Sequence, residues 1–149
     1  MSHPGKCNRL LFSVMFVLMT GLFISFPVHA QLATLTVNLQ GLEPPTGTVE
    51  VTLFNSKEDY MKTPFLQQAS PVENNTLSVE FAGIVDGDYA IVVVHDENGN
   101  DKLDNGFLGF GGEGIGYSND AAPWWGRPSY EAARFTVGTE DLSVNITLE

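Results

Sequence analysis

Cysteine is nearly missing: Cys7 is the only one in 149 residues. It falls in the N-terminal leader, so the rest of the chain has no disulfide, thiol nucleophile or thiolate metal site. Histidine is almost as scarce. His3 and His29 lie in the same leader, which leaves His95 alone. One His without Cys excludes the common zinc sites. Basic residues are also few, seven against eighteen acids, for a net charge of −11. Two of the seven, Lys6 and Arg9, belong to the leader, so the imbalance of the remainder is larger still. Such a polyanion is unsuited to nucleic acid or to anionic lipid. It is suited to cations, because carboxylates gathered on a loop bind hard metals. Beyond the leader, no apolar run approaches the roughly 20 residues of a membrane span.

The leader is the first feature present. Residues 1–9 are polar and carry Lys6 and Arg9, and residues 10–26 hold no charge. Pro27 then interrupts, and Val28 and Ala30 put small residues at the two positions a signal peptidase reads. This is the three-part layout of a secretory signal. The expected division is a signal peptide at 1–30 and one domain at 31–149. The expected compartment is the periplasm or the exterior, without stable membrane insertion after cleavage.

Period-two alternation dominates the chain after the leader. Ala33, Leu35, Val37 and Leu39 alternate with polar residues, as do Val49, Val51 and Leu53, and later Leu77, Val79 and Phe81. Each run predicts a strand with one wet face. The first two read as a hairpin across the Gly- and Pro-rich segment 41–47. Ser56 can cap a short helical turn ended by Pro64. Residues 65–70 read as a weak edge strand. Residues 89–94, Tyr-Ala-Ile-Val-Val-Val, read as a central strand buried on both faces. Residues 135–137 and 142–148 supply the last strands. Together they predict an all-β fold, a single antiparallel β-sandwich of about seven strands. Between residues 95 and 127 periodicity is lost, and more than half of the fifteen glycines gather there. Long loops inside domains of this size are usually functional.

That loop opens with an acidic segment, residues 96–104. Oxygen ligands stand at alternate positions as Asp96, Asn98 and Asn100, then at Asp104, and Lys102 can offer its backbone carbonyl. This spacing is that of an EF-hand loop, so calcium is the expected ion. The sixth position has Asp101 in place of Gly, and the twelfth has Phe107 in place of the bidentate Glu. Glu113 or Asp120 could complete the shell from a distance. A solvated Asp/Asn/Gly turn accounts for the same residues without a metal.

The blocks Gly87-Asp88-Tyr89-Ala90, His95-Asp96-Glu97-Asn98-Gly99-Asn100, Glu113-Gly114, Tyr117-Ser118-Asn119 and Pro128-Ser129-Tyr130-Glu131-Ala132-Ala133-Arg134-Phe135 give the chain its distinctive signature. With them it resembles the bacterial DUF2141 family, small exported proteins of unknown function. The resemblance covers essentially everything after the leader. It departs from the family at Asp101, where Gly is usual, and at Gly109-Phe110-Gly111. It implies an exported transthyretin-like or immunoglobulin-like β domain, and it implies no activity.

Aromatics crowd the end of the loop: Tyr117, Trp124, Trp125 and Tyr130, with Arg127 among them. Tyr117, Trp124, Trp125 and Arg127 are the candidate ligand-binding residues, since aromatic faces with polar neighbours stack on sugars or clamp peptides. The same rings could simply close the end of the sandwich. Ser118 and Ser129 lack a Gly-x-Ser-x-Gly context. The expectation is therefore a non-enzymatic exported protein with an unidentified protein or glycan partner in the cell envelope. A glycan-binding module is the first alternative, and a hydrolase using His95, Asp96 and Glu113 the second.

Overall fold

The computed structural model describes residue 1 and residues 32–99, 112–121 and 126–149. The leader, most of the acidic loop and the Trp124–Trp125 pair lie outside the described residues. Among the described residues, eight strands form two sheets packed face to face. In chain order they are β1 (Ala33–Gln40), β2 (Thr48–Phe54), β3 (Leu66–Pro71), β4 (Thr76–Ile84), β5 (Gly87–Asp96), β6 (Ile115–Tyr117), β7 (Phe135–Val137) and β8 (Leu142–Thr147). A 3₁₀ turn at Ser118–Asp120 and a one-turn helix α1 (Tyr130–Ala133) precede β7. Among the described residues, no helix is long and apolar enough to cross a membrane.

One sheet runs β4-β1-β8. The other runs β3-β2-β5-β6, with β7 also paired to β5. The predicted sandwich is thus present, and residues 65–70 fall on an edge strand as expected. The expected hairpin of β1 and β2 does not form, because the two strands lie in different sheets. Seven residues join them, longer than a tight hairpin loop. They arch across the core and let both apolar faces meet inside it. The sheets are also not wholly antiparallel, since β1 pairs with β8 in parallel.

The core is the sum of the alternating faces. Leu35, Val37 and Leu39 of β1 face Val49, Val51 and Leu53 of β2 and Ile91 and Val93 of β5, all fully buried. Two glycines are required by the geometry. Gly83, with φ +77°, lies in a bulge where β4 has one residue more than β1. Such a backbone conformation suits a residue without Cβ. Gly116 of β6 lies so near β8 that a Cβ there would stand 2.6 Å from Ile146 Cγ2. Beyond that contact, Ile115 and Glu149 exchange two backbone hydrogen bonds of 3.2 Å, so the sheets are joined along the β6–β8 side.

Strand β5 is buried on both faces only over its first half. Tyr89, Ile91 and Val93 point into the main core. On the opposite face Ala90 packs with Tyr130 and Ala133 in a small second core, flanked by Tyr60. Val92 and Val94 stay half-exposed on that outer face.

A grooved outer face and its neighbours

The outer face of the five-stranded sheet follows from register. Thr52 of β2, Val92 of β5 and Tyr117 of β6 stand side by side, as do Glu50, Val94 and Ile115. Gln67 of β3 extends the first row. At about 4.8 Å between strands, that row spans roughly 14 Å. One end of the face is closed by rings: Phe54 and Tyr60 meet edge to face at 5.4 Å, and Tyr60 and Tyr130 at 5.7 Å. Beside those rings Met61, Lys62 and Pro64 from the β2–β3 connection, together with Arg127, wall a groove of about 240 Å³.

The β2–β3 connection is held by local hydrogen bonds. Ser56 Oγ accepts the Asp59 N–H at 3.2 Å and donates to Asp59 Oδ2 at 2.8 Å. Ser56 thus caps as expected, but a series of turns replaces the predicted helical turn. Met61 sits at φ +57°, a left-handed conformation costly for a residue with a Cβ. Lys62 Nζ donates to the Glu58 carbonyl at 2.9 Å.

Charge is unevenly distributed around the groove. Arg134 pairs with Asp88 at 2.6 Å and with Glu131 at 3.4 Å, and Lys57 pairs with Glu131 at 3.4 Å. Lys62 and Arg127 form no ion pair with a described residue, and both line the groove. Burial raises the Tyr117 phenol above its usual pKa, and Arg127 opposes that shift. Burial pushes Tyr60 up to about 12, with Tyr117 adding to the shift.

The candidate calcium ligands are only partly within view. Asp96 Oδ1 accepts the Gly99 N–H at 2.7 Å, as an Asx turn does. Asn98 Nδ2 donates to Glu113 Oε1 at 3.4 Å, and Glu113 is buried. Glu113 therefore does approach the acidic loop. Asp120 is placed elsewhere, accepting the Thr147 N–H at 3.2 Å. Asn100, Lys102 and Asp104 lie outside the described residues. Among the described residues, no three His, Cys, Asp or Glu side chains gather as a metal-binding group.

Of the candidate ligand-binding residues, Tyr117 and Arg127 are brought together at the groove. Trp124 and Trp125 lie outside the described residues. His95 points into the sandwich and is 1% exposed. Its Nε2 donates to the Thr46 carbonyl at 2.7 Å, tying β5 to the β1–β2 arch. Its Nδ1 is buried without a partner among the described residues. Asp96 follows it in extended chain and faces the opposite way, so the strand itself separates the proposed acid/base pair.

Ser118 has a role that sequence reasoning missed. Strand β5 pairs with β7 over residues 87–89 and with β6 over residues 92–94, leaving Ala90 and Ile91 between. Ser118 Oγ fills that gap. It accepts the Ile91 N–H at 2.9 Å and donates to the Ala133 carbonyl at 2.5 Å. Asn119, at φ +61°, donates through Nδ2 to the Ala132 and Arg134 carbonyls. Asp88 accepts Arg134 at 2.6 Å and Thr136 Oγ1 at 2.7 Å, and its carbonyl accepts the Tyr130 hydroxyl at 3.1 Å. Those two side-chain bonds, Thr136 first, hold the Asp88 carboxyl below its usual pKa. The only hint in sequence was that Gly87-Asp88, Tyr117-Ser118-Asn119 and Tyr130–Phe135 belong to one signature.

These blocks, far apart in the chain, are one hydrogen-bonded unit in space, and they define the molecule as a two-sheet β-sandwich domain. The chain belongs to the family described as "Uncharacterized protein conserved in bacteria (DUF2141)", whose model matches residues 37–145. No curated protein and no solved structure matches it.

Proposed function

We propose that this protein is an exported, non-enzymatic binding domain of the cell envelope, with its ligand surface on the outer face of β2, β5 and β6. One observation carries the reading: the groove over Val92, Val94 and Ile115 gathers Tyr117 and Arg127 beside apolar floor residues. An apolar concavity with a few convergent polar groups is the usual form of a small-ligand site. Export is supported by the charged, apolar and small-x-small layout of residues 1–30. The test is NMR titration of the secreted protein with a panel of small carboxylates, amines, peptides and oligosaccharides. Shifts confined to Val92, Val94 and Ile115, lost in Val94→Arg, are expected. Shifts centred instead on the indoles of Trp124 and Trp125, with oligosaccharides alone, would replace this reading by the glycan-binding one.

A second reading concerns calcium, and the approach of buried Glu113 to Asn98 favours it. A Glu from outside the loop would supply the carboxylate missing at the twelfth position. Exported calcium modules bind at about 0.1–1 mM. At about 1 mM free calcium and a Kd of about 0.1 mM the folded form gains about 1.4 kcal/mol. The melting temperature should rise by several degrees, and Asp96→Asn should abolish most of the rise. A melting curve unmoved by millimolar calcium would overturn the calcium reading.

A further inference from the structure

Four basic residues are described: Lys57, Lys62, Arg127 and Arg134. Lys57 and Arg134 are consumed in ion pairs with Glu131 and Asp88. The two without a carboxylate partner among the described residues, Lys62 and Arg127, both stand on the wall of one groove in a chain of net charge −11. Lys62 Nζ is held by the Glu58 carbonyl at 2.9 Å, and no carboxylate among the described residues neutralises either cation, so the groove wall keeps a positive charge that suits an anionic group. The floor between them is apolar, formed by Phe54, Val92, Val94 and Ile115. Among the described residues, Glu50 is the one carboxylate of the lining. It opposes a ligand charged along its whole length and tolerates one charged at a single end. The left-handed backbone at Met61 gives independent support, because strain of this kind persists where the surrounding structure holds it and clusters at ligand sites. It sets an adaptable thioether side chain on the groove wall next to Lys62.

Resting on the binding reading above, we propose that the groove takes a small amphipathic carboxylate, with its apolar body over Val92, Val94 and Ile115 and its carboxylate held by Lys62 and Arg127. A volume of about 240 Å³ lies below the roughly 300–1,000 Å³ of drug-sized pockets, so the body is short. Arginine suits this role, since its fork matches a carboxylate with two parallel hydrogen bonds.

The test is calorimetric titration of the mature protein with octanoate, octanol and octylamine. Octanoate should bind with one-to-one stoichiometry, at least about tenfold more tightly than octanol, with octylamine weakest. Raising salt to about 0.5 M should weaken octanoate alone. Arg127 is exposed, so Arg127→Gln should fold normally. It should reduce octanoate affinity about tenfold while leaving octanol unchanged, and Arg127→Lys should recover part of the loss. Octanol binding as tightly as octanoate, with no effect of Arg127→Gln, would overturn the anion assignment and leave the groove as a binding site. Failure of all three probes to bind or to shift Val92 and Val94 resonances, with other panel members equally silent, would overturn both readings.

Discussion

Ser118→Ala tests whether the Tyr117-Ser118-Asn119 signature is architectural. The side chain is fully buried, and its hydroxyl is used in both directions. Removing it deletes the 2.9 Å bond from the Ile91 N–H and the 2.5 Å bond to the Ala133 carbonyl. A typical net hydrogen bond contributes about 1 kcal/mol, but a buried group left unpaired costs about 1–3 kcal/mol. The Ile91 N–H has no replacement from β6 or β7, whose pairings stop on either side of it. The Ala133 carbonyl, with two lone pairs, suffers less. The expected loss is therefore about 2–4 kcal/mol, a large share of the roughly 5–15 kcal/mol typical of a domain. For a chain of this size that is roughly 10 °C in melting temperature. Urea unfolding followed by fluorescence should show a lower midpoint with an unchanged m value. Hydrogen exchange should accelerate first at Ile91. Ser129→Ala is the control, because Ser129 Oγ caps only the one-turn α1, at 3.3 Å from the Ala132 N–H. It should cost about 0.5–1 kcal/mol. A Ser118→Ala loss no larger than that of Ser129→Ala would refute the argument.

Three further outcomes are expected. Tyr60→Phe should leave stability equal or raised by up to about 1 kcal/mol, because the ring contacts remain and the lost hydroxyl is buried without a partner among the described residues. The folded phenol titrates at about 12 and the unfolded one near about 10. Its contribution is thus fully present below about pH 10 and lost as pH rises towards about 12, with an amplitude under about 2 kcal/mol after solvent screening. Alkaline melts of the Phe variant should be correspondingly flatter, and an unchanged alkaline profile would count against burial as the cause. Gly116→Ala should cost about 1–3 kcal/mol by forcing β6 from β8, and the cost should shrink in an Ile146→Ala background, where the Cγ2 that the new Cβ meets is gone. A neutral Gly116→Ala in urea melts would show that the strands can separate freely. Asp88, held below the usual carboxylate range, supports the fold above its unfolded pKa, and that support is lost as pH falls through the folded value. Acid titration of Asp88→Asn should show a flatter stability curve below about pH 4 than wild type, and coincident curves would exclude Asp88 as a source.

The strands other than β6, and the class of fold, were legible in the residue pattern alone. Period-two alternation at residues 33–39 and 77–81 reflects one wet and one dry face, whereas on β2 the inward face is as expected but Thr52 and Phe54 on the other side are buried as well. The mispairing of β1 with β2 arose because alternation says which face is dry and not which strand lies alongside. β6 escaped notice for a related reason. Ile115-Gly116-Tyr117 is too short for periodicity, and its inward residue is a glycine only because β8 passes 2.6 Å from where a Cβ would be. The site divides in the same way. Tyr117 and Arg127 stood out by residue type, but Val92 and Val94 read as interior of a doubly buried strand. Their exposure depends on where the second core of Tyr60, Tyr130 and Ala133 ends along β5. Likewise Ser118 reads as any serine until β5 changes partner at Ile91. What a residue is made of is written locally; whether its polar groups find partners, and whether its apolar face is covered, is settled only by elements distant in the chain.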